Sequence, residues 1–378
     1  MNMDVESGEP FDRLRLIRSS NVGPVSYYRL LKEFGTAKRA LEALPDLARG
    51  GGRRRPEIAS AETVAREIES VQQVGGKYLF HDDPDYPAIL SELRNAPPVL
   101  IWRGNISLLQ NPSVAVVGAR NASAASRSFA RQLANELSEQ GMTVVSGLAR
   151  GIDTAAHEGS IQHGPVAVIA GGTDVYFPPE NQALQERIAE TGLLLSEQPP
   201  GTEPHARHFP FRNRIIAGLA TGALVIEAAP RSGSLITARL AAESGRQVMA
   251  VPGSPMDPRS QGCNSLIREG ASLIQSAEDV LELIRPIDER MSRPMPSEPQ
   301  SRTKPAASPI DRPLVATNRQ DQEAKIIDLL SATPVTVDEL IRQSHLDPSD
   351  IQLILLELEL AGKLTRSAGA RVALSRLH

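Results

Sequence analysis

Cysteine is almost missing from this sequence: Cys263 stands alone among 378 residues. That excludes an intrachain disulfide and a cysteine-rich zinc site, and it fits a reducing compartment. Aromatic residues are scarce as well, at 3% of the chain. No apolar run approaches the roughly 20 residues of a membrane-spanning helix, and the acidic start MNMDVESGEP has no hydrophobic signal core, so no membrane span and a cytoplasmic location are expected. An excess of positive charge is absent too. Lys plus Arg number 41 against 45 Asp plus Glu, a formal net charge of -4, so no global basic field announces nucleic acid and any anion site must be local. Catalytic signatures are missing in turn: there is no GxSxG elbow, no P-loop lysine and no H-E-x-x-H. His157 has no second ligand at metal spacing, and His205 and His208 sit unpartnered in a proline-rich loop. Asp153 and Glu227 are explained as a helix cap and a strand end. Binding is expected, without catalysis, cofactor or metal.

What is present is organised around VAVVGARNASAASRSFARQLANEL, starting at Val114. Four apolar residues, Gly118, and an Ala-rich amphipathic run after Ser123 predict a buried strand, a tight turn and a helix. This is the first unit of a doubly wound sheet, and the helix start after the turn is a natural place for phosphate. The dinucleotide fingerprint is incomplete, because Arg120 and Ser123 stand where its second and third glycines belong. An arginine there suits a phosphate approached from outside.

The alternation continues through strands Thr143 to Val145, Pro165 to Ala170, Gly192 to Leu195, Ala223 to Glu227 and Gln247 to Val251, with helices between them. A parallel, Rossmann-like sheet with right-handed crossovers is expected. The loops at the carboxyl ends of its strands carry small residues and arginines: Gly118 to Arg120, Gly147 to Gly151 around Arg150, Gly171 to Thr173, and Arg231-Ser232-Gly233-Ser234. Arg212-Asn213-Arg214 reads as the first turn of a helix. Two arginines there would oppose the helix dipole unless an anion sits nearby. Phe209 and Phe211 flank this tripeptide, placed either to pack in the core or to stack on a planar ligand such as a base.

Around this centre, residues 76–285, the sequence sets three further segments. Residues 1–75 read as a small helical module, punctuated by Val22-Gly23-Pro24 and Phe34-Gly35-Thr36, like a sterile-alpha-motif or helix-hairpin-helix unit. Arg53 to Arg55 follow as a solvated basic loop. Residues 286–320 are proline-rich and read as an extended linker. Residues 321–378 read as three short helices and a two-stranded wing, a winged-helix pattern. Its third helix, Ile351 to Leu360, carries Glu357 and Glu359 and would repel phosphate, so protein contact is expected of it. Lys363, Arg366 and Arg371 on the wing leave room for weak DNA contact.

The linked motifs GARNAS, SGLARGIDTAAH, AGGTDVYFPPEN, SEQPPG, HFPFRNRIIAGLA, EAAPRSGSLITARLAAESGR, VPG and GCNSLI closely resemble the DNA-processing protein A (DprA/Smf) family, from about Lys77 to Ile284. The resemblance implies a single-stranded DNA-binding recombination mediator. It would displace or coexist with single-strand-binding protein, load RecA recombinase during natural transformation, and dimerise through the central domain. It further implies that Arg120, Arg212 and Arg214 contact the DNA backbone and that Ser232 to Ser234 line the same pocket. Gly118, Gly147, Arg150, Phe209, Phe211, Asn213 and Arg231 complete the candidate site. The alternative is a nucleotide-processing enzyme of the phosphoribohydrolase kind, using the same phosphate loops; its PGGxGTxxE signature is absent, since AGGTDVY lacks the proline.

Overall fold

Strands that are apolar at every position need cover on both faces, and the chain supplies it with helices. The computed structural model describes residues 8–49, 57–291, 319–330, 335–344, 346–367 and 370–374; Arg53 to Arg55 and most of the proline-rich stretch lie outside them. Four helices come first: α1 (Gly8–Arg18), α2 (Pro24–Phe34), α3 (Ala37–Arg49) and α4 (Ala61–Gln73). Next are β1 (Lys77–Phe80), α5 (Ala88–Ser91), β2 (Val99–Gly104), β3 (Ser113–Val117), α6 (Ala124–Glu139), β4 (Thr143–Ser146) and α7 (Ile152–Ser160). The alternation runs on through β5 (Val166–Val168), α8 (Gln182–Thr191), β6 (Leu193–Ser196), α9 (His208–Leu219), β7 (Gly222–Val225) and α10 (Gly233–Glu243). It closes with β8 (Gln247–Ala250), α11 (Gln261–Arg268), β9 (Ser272–Leu273) and α12 (Ala277–Met291). The C-terminal part holds α13 (Arg319–Leu329), β10 (Val335–Thr336), α14 (Val337–Ser344), α15 (Pro348–Leu360), β11 (Leu364–Ser367) and β12 (Arg371–Leu374).

Two compact units result: the residues up to Ala65 together with the C-terminal part, and the residues from Arg66 through α12. In the second unit a nine-stranded sheet runs in the order β1-β2-β6-β5-β4-β3-β7-β8-β9. From β6 to β9 all neighbours are parallel, and the antiparallel pair β1 and β2 extends the β6 edge. This is the Rossmann-like, mostly parallel sheet expected. Side chains of β3 alternate as a strand requires: Val114 and Val116 pack with Leu133 and Leu137 of α6, Ala115 and Val117 with Ile215 and Ile216 of α9. The chain winds outward from β3 to β6, returns through α9, and winds outward again from β7. That reversal makes a topological switch point beside β3, where the crevice of an open sheet lies. Pro286 to Met291, read as the start of an extended linker, instead continue α12.

In the first unit, Leu16, Tyr27, Leu30, Leu41 and Leu44 form a helical core that also takes in Leu356 and Leu360 of α15. The opposite side of α15, with Ile351, Ile354, Leu355 and Leu358, fills the winged helix's own core beside its three-stranded sheet, β10-β12-β11. A helix apolar on both sides is buried on both. Arg29 on α2 pairs with Glu359 at 3.3 Å, and Glu359 also accepts from Arg366 Nε at 3.0 Å. Within the chain the acidic helix meets the N-terminal module.

Candidate nucleic-acid interface

At the switch point the loops after β3, β4 and β7 meet the first turns of α9 around a cleft of about 410 Å³. Gly118, Arg120, Phe209, Arg212, Asn213, Arg231, Ser232, Gly233 and Ser234 all line it. Gly147 and Arg150 line an adjoining recess of about 160 Å³ together with Arg120, Phe209 and Arg212. Phe211 stands outside both, 56% exposed, and Arg214 lines neither.

The glycines serve packing of the chain on itself. A Cβ on Gly118 would fall 2.5 Å from Ile152, where α7 closes on the turn, and one on Gly147 would fall 1.5 Å from Arg212 Nη1. The space at Gly147 is the seat of the Arg212 guanidinium, which donates to the Val168 carbonyl at 3.1 Å. Asp153, within the first turn of α7, accepts from the backbone N–H of Gly147 at 3.1 Å and of Ala149 at 3.4 Å. It therefore ties down the loop before α7 and faces Arg212. Burial pulls the Arg212 pKa down to about 10, with the Asp153 charge opposing that shift, and it stays protonated at neutral pH. Burial raises Asp153, against the opposing pull of Arg212 and the two N–H groups. His157, fully enclosed on α7, is pushed down to about 3 by burial and then by Arg212, so it is neutral at physiological pH.

Two expectations about the arginines need correction. The helix carrying them begins at His208, so Arg212 and Arg214 fall in its second turn, beyond the reach of the dipole's positive end. Pro210 was the signal for this earlier start, because proline is tolerated in a first turn. Nor do both arginines lie at the surface. Arg212 is 6% and Arg214 4% exposed. Arg214 is ion-paired with Glu197, just past β6, and its Nε and Nη1 are buried without a hydrogen-bond partner. The arginines that present charge to the cleft are the exposed Arg120 and Arg231. Arg150 is exposed too, paired with Glu180 at the smaller recess.

Phe209 is held by its neighbours. The Arg120 guanidinium lies 5.1 Å from its ring centroid, that of Arg212 5.9 Å, and the Phe177 ring 5.7 Å. Asn213 Nδ2 donates to the Gly233 carbonyl at 3.5 Å, tying α9 to the start of α10. Ser232 caps α10, accepting from the Ser234 N–H at 3.4 Å while the two hydroxyls lie 2.7 Å apart.

The start of α6 is different from the phosphate seat read from the sequence. The Glu227 carboxylate, just past β7, accepts from the Ser123 N–H at 3.1 Å and from the Ser123 and Ser126 hydroxyls at 2.7 Å each. An internal anion thus holds the position where a Rossmann nucleotide would place its phosphate. Spacing in the sequence carried no sign of this contact, since Glu227 is 104 residues from Ser123. Phe177 was missed as well; its cue was an aromatic in a glycine- and proline-rich strand-end loop of an aromatic-poor chain. Among the described residues the exposed large apolar side chains are Phe177, Phe211, Ile236, Met256 and Leu273, and the first four stand on loops or first helical turns at the carboxyl edge of the sheet. Among the described residues no group of three or more His, Cys, Asp or Glu is placed to hold a metal ion, and no helix is long and apolar enough to cross a membrane.

The sequence model described as DNA recombination-mediator protein A matches residues 77–285, the DprA-like N-terminal HHH domain residues 7–70, and the DprA winged helix domain residues 303–370. The DNA processing protein DprA of Streptococcus pneumoniae is 50% identical over 201 residues, covering 53% of this chain and 71% of that protein. Protein Smf of Synechocystis is 33% identical over 379 residues, covering 93% of this chain and 95% of its own. The X-ray structure of the S. pneumoniae DprA superposes with a TM-score of 0.63 at 37% identity, over 75% of this chain and 99% of that one. DNA processing protein A from Helicobacter pylori, a structure that addresses its single-stranded DNA binding mode, gives a TM-score of 0.51 at 28% identity, over 56% of this chain and 96% of that one. Three domain matches in order and relatives spanning nearly the whole length lead to one conclusion: the chain belongs to the DNA recombination-mediator protein A (DprA/Smf) family.

Proposed function

We propose that this protein binds single-stranded DNA along the carboxyl edge of its sheet, without catalysis, and loads RecA recombinase onto strands entering the cell during natural transformation. The observation that carries the DNA reading is the pairing of Arg120 and Arg231 around the serine-capped start of α10, beside clamped Phe209 and exposed Phe211. A phosphate at that helix start receives N–H donors, the dipole and two guanidinium groups together. Bases stack on the phenylalanines, which a duplex with its bases paired inside does not offer. Gly118 and Gly147 hold the turn and the Arg212 seat. Arg212 shapes the cleft from within the protein, and Arg214 is held by Glu197 away from it, rather than meeting the strand first.

Family membership supports recombinase loading, exchange with single-strand-binding protein, a homodimer built on the central domain and a cytoplasmic location as parts of the same reading. A nucleotide seated as on a dinucleotide-binding fold would need the phosphate position at α6, which Glu227 holds. The test is fluorescence anisotropy with single-stranded and duplex oligonucleotides across a salt series, run beside a nucleotide hydrolysis assay. Binding should favour single strands and weaken with salt at a slope of about -0.7 per phosphate contacted. Equal affinity for duplex, indifference to salt, or hydrolysis of nucleotides overturns the reading.

A further inference from the structure

Helix α15 carries two apolar stripes. Ile351, Ile354, Leu355 and Leu358 recur at helical spacing and enter the winged helix's own core. Leu356 and Leu360, with Leu353 packed beside them, recur on the opposite side and enter the core of the N-terminal module instead. Both leucines are 2% exposed, so each is a full member of a core whose other residues come from α1, α2 and α3.

Neither module is self-sufficient. Both are small enough that one hydrophobic core is marginal on its own. α15 packs on α2 and α3, so taking it away opens that face of the N-terminal core to water, and taking the N-terminal module away leaves Leu356 and Leu360 uncovered. Charge fastens the same seam. Glu359 of α15 accepts from Arg29 Nη1 of α2 at 3.3 Å and from Arg366 Nε of β11 at 3.0 Å, so one carboxylate joins both modules across 330 residues of sequence.

We infer that α15 is a shared core helix that makes the N-terminal module and the winged helix one cooperative folding unit. The recognition helix of a helix-turn-helix fold is the element laid in a DNA groove. Here that helix cannot be given to a groove, or to a partner protein, without opening the N-terminal core. A ligand that takes α15 therefore loosens residues 8–49, and whatever steadies those residues holds α15 closed. None of these residues lines the cleft, so the inference stands apart from the single-strand reading.

Its test is hydrogen exchange read by mass spectrometry on the full chain. Ile351→Ala cuts into the winged-helix core and Leu16→Ala into the N-terminal core at α1, so each is read in the module it does not touch. Each should speed exchange of the best-protected amides in both modules, on the order of a hundredfold for a large-to-small core change, while β3 and β7 keep their protection. Arg29→Ala, a milder change at the seam, should speed both by roughly twofold to fivefold. Should a core variant fail to fold, Arg29→Ala carries the same readouts. Exchange that quickens only in the module carrying the substitution overturns the shared unit, and so does equal quickening in β3 and β7.

Discussion

Two helices begin at the carboxyl edge of the same sheet, each after a strand, each capped by a serine, and they meet opposite fates. At α6 the cap Ser123 is met by the Glu227 carboxylate from the end of β7. At α10 the cap is Ser232, and the first turn has no acidic residue. The difference follows from sheet order. β7 lies next to β3, so Glu227, just past its end, falls beside the β3 to α6 turn, whereas β8, next to β7, is followed by Val251-Pro252-Gly253 and delivers no carboxylate there. Helix dipoles are alike, and what the neighbouring strand carries at its end decides whether an anion-binding site remains. One position has become structure; the other, flanked by Arg120 and Arg231, is available for binding.

The largest effect should come from removing the arginines at α10. Arg120→Ala or Arg231→Ala each removes a charge-assisted contact, worth roughly ten- to a hundredfold in affinity for single-stranded DNA. The double variant should bind barely at all, with its thermal midpoint almost unmoved, because exposed arginines contribute little to stability. Arg212→Ala should do the reverse in kind. It leaves Asp153 buried without its countercharge, so unfolding free energy should fall by about 3–5 kcal/mol in denaturant titrations. An unchanged midpoint for Arg212→Ala would place that arginine with Arg120, as a surface ligand.

Much of this was legible in the sequence. Val114 to Val117, the recurrent strand ends and the small or basic residues after them gave the sheet and the edge on which the site lies. The acidic character of α15 gave a protein-facing helix, and its all-round apolar pattern, with Leu356 and Leu360 set against Ile351 and Leu358, required two partners without naming them. What resisted reading depends on contacts between distant segments. Arg214 looks the same in sequence whether it faces a phosphate or Glu197, and Glu227 reads as an ordinary strand end until β7 is known to neighbour β3.

Glu227→Gln addresses the comparison at α6. The amide keeps the shape but loses the charge that three donors share, which should cost about 1.5–3 kcal/mol of stability. Because the helix start then lacks its anion, inorganic phosphate should raise the variant's thermal midpoint more than the wild type's. Equal responses would show that the carboxylate is not what keeps anions from α6.

Beneath the cleft, His157 supplies a pH signal. Its folded pKa of about 3 lies below the ordinary 6.5, so the unfolded state binds the proton more readily. The stability it contributes is present above pH 6.5 and is lost as pH falls toward 3. By pH 5 that loss should reach about 2 kcal/mol, and His157→Phe should be spared it. Asp153, raised by burial, acts with the opposite sign, its contribution growing as pH falls, and does so in both proteins, so the difference between them isolates the histidine.

The smallest effect is expected at the cap of α10. Ser232→Ala removes the oxygen that accepts from the Ser234 N–H at 3.4 Å, a long bond, so the cost should sit near 0.5–1 kcal/mol, the low end for an N-cap. That cost should shrink when single-stranded DNA is bound, because a phosphate at the helix start takes over the N–H groups the serine had served. Thermal melts with and without oligo(dT) measure both values. If the serine's contribution is the same in the two conditions, the phosphate does not sit at α10, and the contrast with α6 loses its functional meaning.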